Sequence, residues 1–187
     1  MLEKLKAEVL LAYQELGRSG LNKYARSTVS AIDRKRGLIV VKSGWDALVV
    51  DMQGQVLEGT QTPSFDIQSH IAIYQAFPAL GAVVQPDARF AAIFAQVGMD
   101  IPAPGLFHKD CAQVEIPCAA SDAENGNTFR DRSIDLLQTP AALVVSHSPY
   151  ACGKTALDAV TNAATLEETT TMAYHTMRLD PAIQPVQ

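Results

Sequence analysis

Gln85 and Asp87 are the polar pair that first suggests chemistry, because they close a short apolar run and precede a pattern of helical period. They are separated by Pro86 and point to the same face if the chain is extended there. Polar residues at the end of a buried strand often form a ligand or metal site. The alternative is that Asp87 only N-caps the helix predicted over residues 88–96. The two roles do not exclude each other.

A second group of chemistry-bearing residues, Lys42, Ser43 and Gly44, follows a predicted strand. A lysine beside a serine and a flexible glycine can present a cation and backbone N–H groups to a phosphate. An ordinary solvated loop has the same composition, so these residues alone do not distinguish a phosphate-binding site from such a loop. Ser64 and Asp66 precede a predicted helix, where Asp66 would be a cap and the exposed N–H groups could bind an anion.

Histidines and an acid in predicted loops complete the set of site residues. His108 and His147 lie after or between strands, where sites are usually built. Asp110 lies close to His108 and directly after Lys109. The structural alternative for Asp110 is a surface acid paired with Lys109. The structural alternative for His147 is a core histidine that is hydrogen-bonded to the backbone. His70 falls inside a predicted helix, which favours a structural role.

Composition restricts the classes of function. The chain has 187 residues, of which 48% are apolar and 19% charged, and this predicts one globular domain over residues 1–187. The net charge of −5 argues against a nucleic-acid partner, and no apolar run reaches the roughly 18 residues of a membrane span. Three cysteines without CxxC spacing argue against a zinc knuckle and fit a reducing cytoplasm.

Two nucleotide motifs and one hydrolase motif are absent from the sequence. Residues 152–155 resemble the end of a P-loop, but Ser148 occupies the position of its required first glycine. No G-x-G-x-x-G and no G-x-S-x-G pattern occurs. A nucleotide site and a hydrolase nucleophile elbow are therefore unsupported.

Apolar periodicity predicts the elements that must position these residues. Helices are expected over residues 2–16, 67–77, 88–96, 129–138 and 155–177. Strands are expected over residues 27–32, 38–41, 47–50, 55–57, 81–85, 114–118 and 141–145, with a loop over residues 101–105. The first four strands form two hairpins, and a strict β-α-β alternation is missing. This favours an antiparallel or mixed sheet with helices packed on it.

Taken in order, many stretches resemble the class II aldolase/adducin family, most closely its L-ribulose-5-phosphate 4-epimerase branch. The matching text covers almost the whole chain, and its order and spacing are more specific than any one block. It comprises residues 29–37, 42–44, 57–60, 63–64, 66, 70, 74–78, 101–103, 108, 110, 116–118, 146–147, 149, 153–154, 158–160 and 166–168.

The resemblance implies an α/β fold of three layers, α/β/α, with a central, mostly antiparallel sheet flanked by helices. It also implies a homotetramer with the active site at the subunit boundary. The family uses a divalent metal, commonly zinc, to hold the oxygens of a small sugar phosphate. The reaction is a retro-aldol C–C cleavage through an enediolate that the metal stabilises.

Carried over position by position, the resemblance implies a changed metal site. The late metal histidine of the family corresponds to His147, and its His-x-His pair corresponds to Gln85 and Asp87. A set so rich in oxygen favours magnesium or manganese over zinc, or no metal at all. Asp66 matches the acid beside the metal, and Asp110 matches the acid that transfers protons in the epimerase branch.

The substrate-binding positions of the family are partly kept. Lys42, Ser43, Gly44 and Ser64 match its phosphate-binding residues, whereas its Gly-Asn pair is replaced by Ser27 and Thr28. Phe65 stands where the family has a serine, and no counterpart of the branch's late tyrosine acid/base is found. These changes predict a weakened or altered aldolase or epimerase. The alternative is a catalytically inactive, adducin-like homologue that serves binding or assembly.

Overall fold

The computed structural model describes residues 2–63, 66–103, 114–120 and 134–179. Within these ranges the chain forms helices α1 (Leu2–Arg18), α2 (Ile67–Ala76), α3 (Arg89–Val97) and α4 (Ala156–Leu179). The strands are β1 (Thr28–Asp33), β2 (Leu38–Ser43), β3 (Asp46–Asp51), β4 (Val56–Glu58), β5 (Ala82–Gln85), β6 (Ile101–Ala103), β7 (Val114–Ile116), β8 (Cys118–Ala119), β9 (Ala141–Val144) and β10 (Tyr150–Gly153). None of the helices described is long and apolar enough to cross a membrane.

Eight strands form one sheet in the order β4-β3-β2-β1-β5-β10-β9-β8. Every neighbouring pair is antiparallel except β8 and β9, and β6 pairs separately with β7. β1 and β5 lie side by side at the centre, with Thr28 opposite Gln85. The mostly antiparallel sheet that the sequence predicts is confirmed.

Alternation along the central strands divides the core between two faces of the sheet. On β1, Val29 and Ala31 pack in the cluster that contains the buried residues of α1, α3 and α4. Ile32 packs in the second cluster, which contains Ile71 and Tyr74 of α2. Because successive side chains of a strand point to opposite faces, each face has its own helical layer. The structure therefore has the predicted α/β/α layers.

Several predicted elements need correction. β10 was not predicted; all four of its residues are buried, so it lacks the apolar–polar alternation of a strand with one wet face. β6 lies in the segment predicted as a loop over residues 101–105, and its Ile101 is fully buried opposite Ile116. Pro117 divides the predicted strand 114–118 into β7 and β8, which belong to different sheets.

The helix predicted over residues 129–138 is not found in its described part. Residues 129–133 lie outside the described ranges, and residues 136–138 form a turn. Ile134 and Leu136 are both buried. Two buried residues at this spacing fit a chain that crosses the core in a non-helical conformation, and the helical period was the wrong interpretation.

Helix α3 begins on a carboxylate from another helix. Its N-cap residue is Ala88, without a side-chain cap, so the cap predicted for Asp87 is wrong. The Glu167 carboxylate of α4 instead accepts hydrogen bonds from the backbone N–H of Phe90 at 3.0 Å and of Ala91 at 3.1 Å. These bonds satisfy two of the N–H groups that a helix start leaves without intrahelical partners.

Replacing Glu167 by alanine should therefore destabilise the protein by about 1–2 kcal/mol, the usual effect of removing a helix cap. Urea unfolding of the wild type and the variant measures the difference. Glu168→Ala is the matched control, because Glu168 is the exposed neighbour on the same helix. Equal stability of the two variants would contradict the capping role.

A buried polar network joins β1 to α2. The Ser30 hydroxyl lies 2.7 Å from Nδ1 of His70 and 2.8 Å from the Tyr74 hydroxyl. All three side chains are fully buried. Burial lowers the pKa of His70 to about 3, so the ring is neutral at physiological pH. The network is paired at Nδ1, while Nε2 has no hydrogen-bond partner among the described residues.

The free energy of unfolding should fall below pH 6.5 because of His70. An unfolded histidine binds a proton near its ordinary pKa of 6.5, whereas the folded pKa is about 3. The unfolded state binds more protons in this window, so stability drops by up to about 1.4 kcal/mol per pH unit as the pH falls. Urea unfolding between about pH 7 and pH 5 gives the slope. His70→Gln should reduce it and the exposed-site control His175→Gln should not; the reverse result would refute the assignment.

Candidate functional site

A cleft of about 820 Å³ lies between α1, the chain before β1, and the β2–β3 turn. This volume is typical of pockets for small molecules. The cleft brings together the predicted substrate-binding residues Ser27, Thr28, Lys42 and Gly44. It is also lined by Leu10, Tyr13, Gln14, Ala25, Arg26, Trp45 and Thr62.

Lys42 places a cation inside this cleft. It is half-buried, its Nζ lies 4.1 Å from the centroid of the Tyr13 ring, and it donates a hydrogen bond to the Gly44 carbonyl. Burial lowers the pKa of Lys42, and the charge of Asp46 opposes that effect. Gly44 has a positive φ of 53°, a conformation that glycine adopts without strain. The turn therefore folds back on the lysine that precedes it.

Ser27 lines the cleft, but its hydroxyl is used by the fold. Oγ donates to the Leu21 carbonyl at 2.7 Å and accepts from the backbone N–H of Asp87 at 3.0 Å. The side chain is almost fully buried. Ser27 thus joins the chain before β1 to the chain after β5.

Seven lining residues of the cleft were not predicted as site residues, among them Tyr13, Gln14, Arg26 and Trp45. Tyr13 and Gln14 belong to α1, whose pattern indicates only an amphipathic helix. Trp45 is 97% exposed at the rim. Arg26 directly precedes Ser27, so a basic residue beside a predicted substrate position was the available signal.

A smaller pocket of about 150 Å³ adjoins the residues predicted to bind metal. Asp87 lines it, as do Pro86 and Ser148, the chain neighbours of Gln85 and His147. Its other lining residues are Tyr24, Arg26, Ala88, Arg89, Ala92 and Pro149. Two arginines therefore share this pocket with one carboxylate.

Asp87 is held through both its side-chain carboxylate and its backbone N–H. Its Oδ2 accepts a hydrogen bond from the backbone N–H of Tyr24 at 3.0 Å, and its Oδ1 lies 3.8 Å from Nε of Arg26. Its own N–H donates to the Leu21 carbonyl at 2.8 Å as well as to Ser27. The carboxylate anchors the segment before β1 instead of capping α3.

The electrostatic field around Tyr24 is positive. Arg89 Nη2 donates a hydrogen bond to the Tyr24 hydroxyl at 3.2 Å, and Lys23 and Arg26 lie near the ring, at 5.9 and 5.3 Å from its centroid. The Arg89 hydrogen bond and these cations lower the pKa of the Tyr24 phenol. Cations held this close to a phenol stabilise its negative form.

Gln85 and His147 have different environments from Asp87. Gln85 is 5% exposed, lies outside both pockets, and its Oε1 has no hydrogen-bond partner among the described residues. His147 is half-buried, and its Nδ1 donates to the Val145 carbonyl at 3.1 Å. Because Nδ1 carries the proton in that bond, Nε2 keeps its lone pair. An imidazole that binds a metal through Nε2 requires this tautomer.

These three side chains do not fit a tightly held divalent metal. Zinc is usually bound by several imidazoles or thiolates, and only His147 offers one here. The Asp87 carboxylate already has a backbone N–H and a guanidinium beside it, and that cation would repel a metal ion. Over the described ranges, no three His, Cys, Asp or Glu side chains are grouped to hold a metal.

The remaining predicted site residues lie elsewhere. Asp66 is the N-cap residue of α2 without a side-chain cap bond, and it lies outside both pockets. Burial raises the pKa of Tyr150 to about 12, and the charge of Asp66 adds to that rise. Asp110, Ser64 and the side chain of Ser43 lie outside what the structure describes.

Restoring two imidazoles should restore zinc binding. We expect the wild-type protein to bind zinc weakly and Gln85→His/Asp87→His to bind it at least about 100-fold more tightly, because imidazole nitrogens replace an amide and an engaged carboxylate. Calorimetric titration with zinc chloride measures both affinities. His147→Ala in the double variant is the control and should remove the gain. A folded double variant without the gain would show that these positions do not converge.

Comparison with known proteins gives one consistent result. Residues 7–174 match the family described as Class II Aldolase and Adducin N-terminal domain. The L-ribulose-5-phosphate 4-epimerase UlaF of Salmonella paratyphi B is 39% identical, over 99% of this chain and 90% of that protein.

Solved structures with the same fold are more distant in sequence. An L-fuculose 1-phosphate aldolase superposes with a TM-score of 0.78 at 19% identity, covering 97% of this chain and 91% of that one. The L-fuculose-1-phosphate aldolase of Thermus thermophilus gives a TM-score of 0.71 at 19% identity, with coverage of 98% and 100%. These likenesses confirm the predicted fold.

Proposed function

The chain belongs to the class II aldolase and adducin family, and from this premise we propose that it binds a small sugar phosphate in the 820 Å³ cleft. The proposed reaction is of the aldolase or epimerase type, a retro-aldol C–C cleavage through an enediolate, with weakened or altered activity. The proposal treats residues 1–187 as one domain that works in the cytoplasm as a homotetramer. The family resemblance supports the assembly, and the three cysteines without CxxC spacing support the location.

The observation that carries the proposal is the likeness to L-ribulose-5-phosphate 4-epimerase UlaF over almost the whole chain, at 39% identity. The cleft adds a physical reason. Four substrate-binding positions predicted from the family line one cavity, and Lys42 brings a positive charge to it. A partly desolvated cation attracts a phosphate more strongly than a solvated one does.

The proposed roles of the residues follow from the family resemblance, and the lining of the cleft supports those of Ser27, Thr28, Lys42 and Gly44. Lys42 and the backbone of the Gly44 turn hold the phosphate, with Ser43 and Ser64 as further phosphate contacts. Ser27 and Thr28 lie along the sugar, where Ser27 acts through backbone position because its hydroxyl is engaged. Asp110 is proposed to transfer the proton, as the matching acid does in the epimerase branch. Asp66 is proposed as a second acid, near Tyr150.

Weakened activity is proposed because the family's metal chemistry has lost its donors. A divalent metal supplies Lewis acidity to the enediolate in this family. In this chain, Gln85, Asp87 and His147 would hold magnesium or manganese, and they offer one imidazole in place of the family's three. Asp87 serves the fold through Tyr24 and Arg26.

The loss of the family's metal-binding pair at Gln85 and Asp87 also favours a second candidate. This is a catalytically inactive homologue that binds its ligand or assembles without turnover. The two functions are distinguished with L-ribulose 5-phosphate. Retro-aldol cleavage of its C3–C4 bond releases glycolaldehyde phosphate, which an enzyme-coupled assay detects, and epimerisation changes the configuration at C4. Binding without either product supports the inactive homologue.

We predict that Lys42→Met weakens the binding of L-ribulose 5-phosphate about tenfold or more, because a charged hydrogen bond to the phosphate is lost. Isothermal titration calorimetry gives the affinity. Lys35→Met is the control, since Lys35 is an exposed lysine on the β1–β2 turn. An equal effect of the two substitutions would mean that the net charge, and not the cleft, governs binding.

A further inference from the structure

Arg26 is shared by the two pockets described above. It lines the cleft that contains Lys42 and also the smaller pocket that contains Asp87. A ligand bound in the cleft can therefore reach a guanidinium at one boundary and the Lys42 ammonium at another. No residue role predicted from the sequence or from the family resemblance falls on Arg26.

Neighbouring side chains orient the Arg26 guanidinium and leave its N–H donors available to a ligand. Its Nε lies 3.8 Å from Oδ1 of Asp87, an ion-pair distance that is too long for a hydrogen bond. Its Cζ lies 5.3 Å from the centroid of the Tyr24 ring. The side chain is still 76% exposed. A guanidinium has five N–H donors in a planar fork, so a group held in this way can bind a planar anion with two bonds.

The charges around the smaller pocket favour an anion over a metal cation. Its charged lining residues are Arg26, Arg89 and Asp87, two cations and one anion. Asp87 is the one predicted metal ligand among the lining residues of this pocket, and the donor set that it would form with Gln85 and His147 does not fit a metal. The positive charge is instead built into the chain.

We propose that Arg26 binds a carboxylate of the ligand while Lys42 binds its phosphate, so that the substrate is a phosphorylated sugar acid bound without a metal. This inference rests on the proposed function for the phosphate and adds the second anionic group. Guanidinium and carboxylate match in geometry and make two parallel hydrogen bonds. Asp87 and the Tyr24 ring position the guanidinium, since both lie beside it and line the smaller pocket with it.

Two matched probes test the second anionic group. 3-Phosphoglycerate and glycerol 3-phosphate share a three-carbon skeleton and a phosphate, but only the former has a carboxylate. By calorimetry in the presence of EDTA, the wild-type protein should bind 3-phosphoglycerate about tenfold more tightly. Arg26→Gln should remove this preference, and Arg26→Lys should recover part of it, because lysine keeps the charge and loses the fork.

The control is Arg36→Gln. Arg36 is half-exposed and lies 3.9 Å from an oxygen of Asp33, so it resembles Arg26 in exposure and ion pairing but lies outside both pockets. This variant should keep the full preference for 3-phosphoglycerate. Circular dichroism checks that every variant is folded, which the high exposure of Arg26 leads us to expect.

The outcomes separate the two proposals. Equal binding of both probes by the wild type, or a preference that survives Arg26→Gln, overturns the role of Arg26 and leaves the phosphate site standing. The titrations are repeated without EDTA, and a preference that appears only without EDTA also overturns the role of Arg26, because a metal would then hold the carboxylate. The phosphate assignment fails if neither probe binds at millimolar concentration and Lys42→Met leaves the affinity for L-ribulose 5-phosphate unchanged. The inference about Arg26 then fails with it.

Discussion

The candidate site depends on the attachment of the segment before β1 to the junction after β5. Asp87 makes this attachment with its backbone N–H, which donates to Leu21 and Ser27, and with its carboxylate, which accepts from Tyr24. Backbone N–H groups buried without a partner are costly, so these bonds determine where the segment runs. Both pockets use residues of the segment as walls, and both therefore depend on one aspartate.

Sequence reasoning recovered the elements with a clear local pattern. The amphipathic α1 shows its period because one face meets the core and the other meets solvent. The hairpins of β1 to β4 were recovered from apolar runs separated by polar turns, although β1 is buried along its whole length. The same reasoning failed for β10, which is also fully buried but has only four residues and no β-branched side chain. It also failed at β6, a strand of three residues that is too short to show a period and whose Pro102 is compatible with an edge strand. Tertiary burial decides such segments.

The site was recovered in part, and for a different reason. Ser27, Thr28, Lys42 and Gly44 came from family likeness, and the fold brings them to one cleft. The cap predicted for Asp87 was wrong because Glu167 accepts the first N–H groups of α3 from 76 to 77 residues further along the chain than those groups. Arg26 was missed because its significance comes from Asp87, which is distant in sequence. Contacts between residues this far apart in the sequence produce no periodic pattern that could predict them.

A change from metal ligands to an ion pair alters chemistry and leaves the fold intact. Neither Gln85 nor Asp87 belongs to either apolar cluster, so the layers do not depend on imidazoles at these positions. A metal polarises an oxygen through an open coordination position, whereas a guanidinium offers hydrogen bonds and a single delocalised charge. Such a group holds a carboxylate well and stabilises an enediolate less strongly than a dication does. On these grounds, binding of an anionic ligand should survive the substitution better than C–C cleavage.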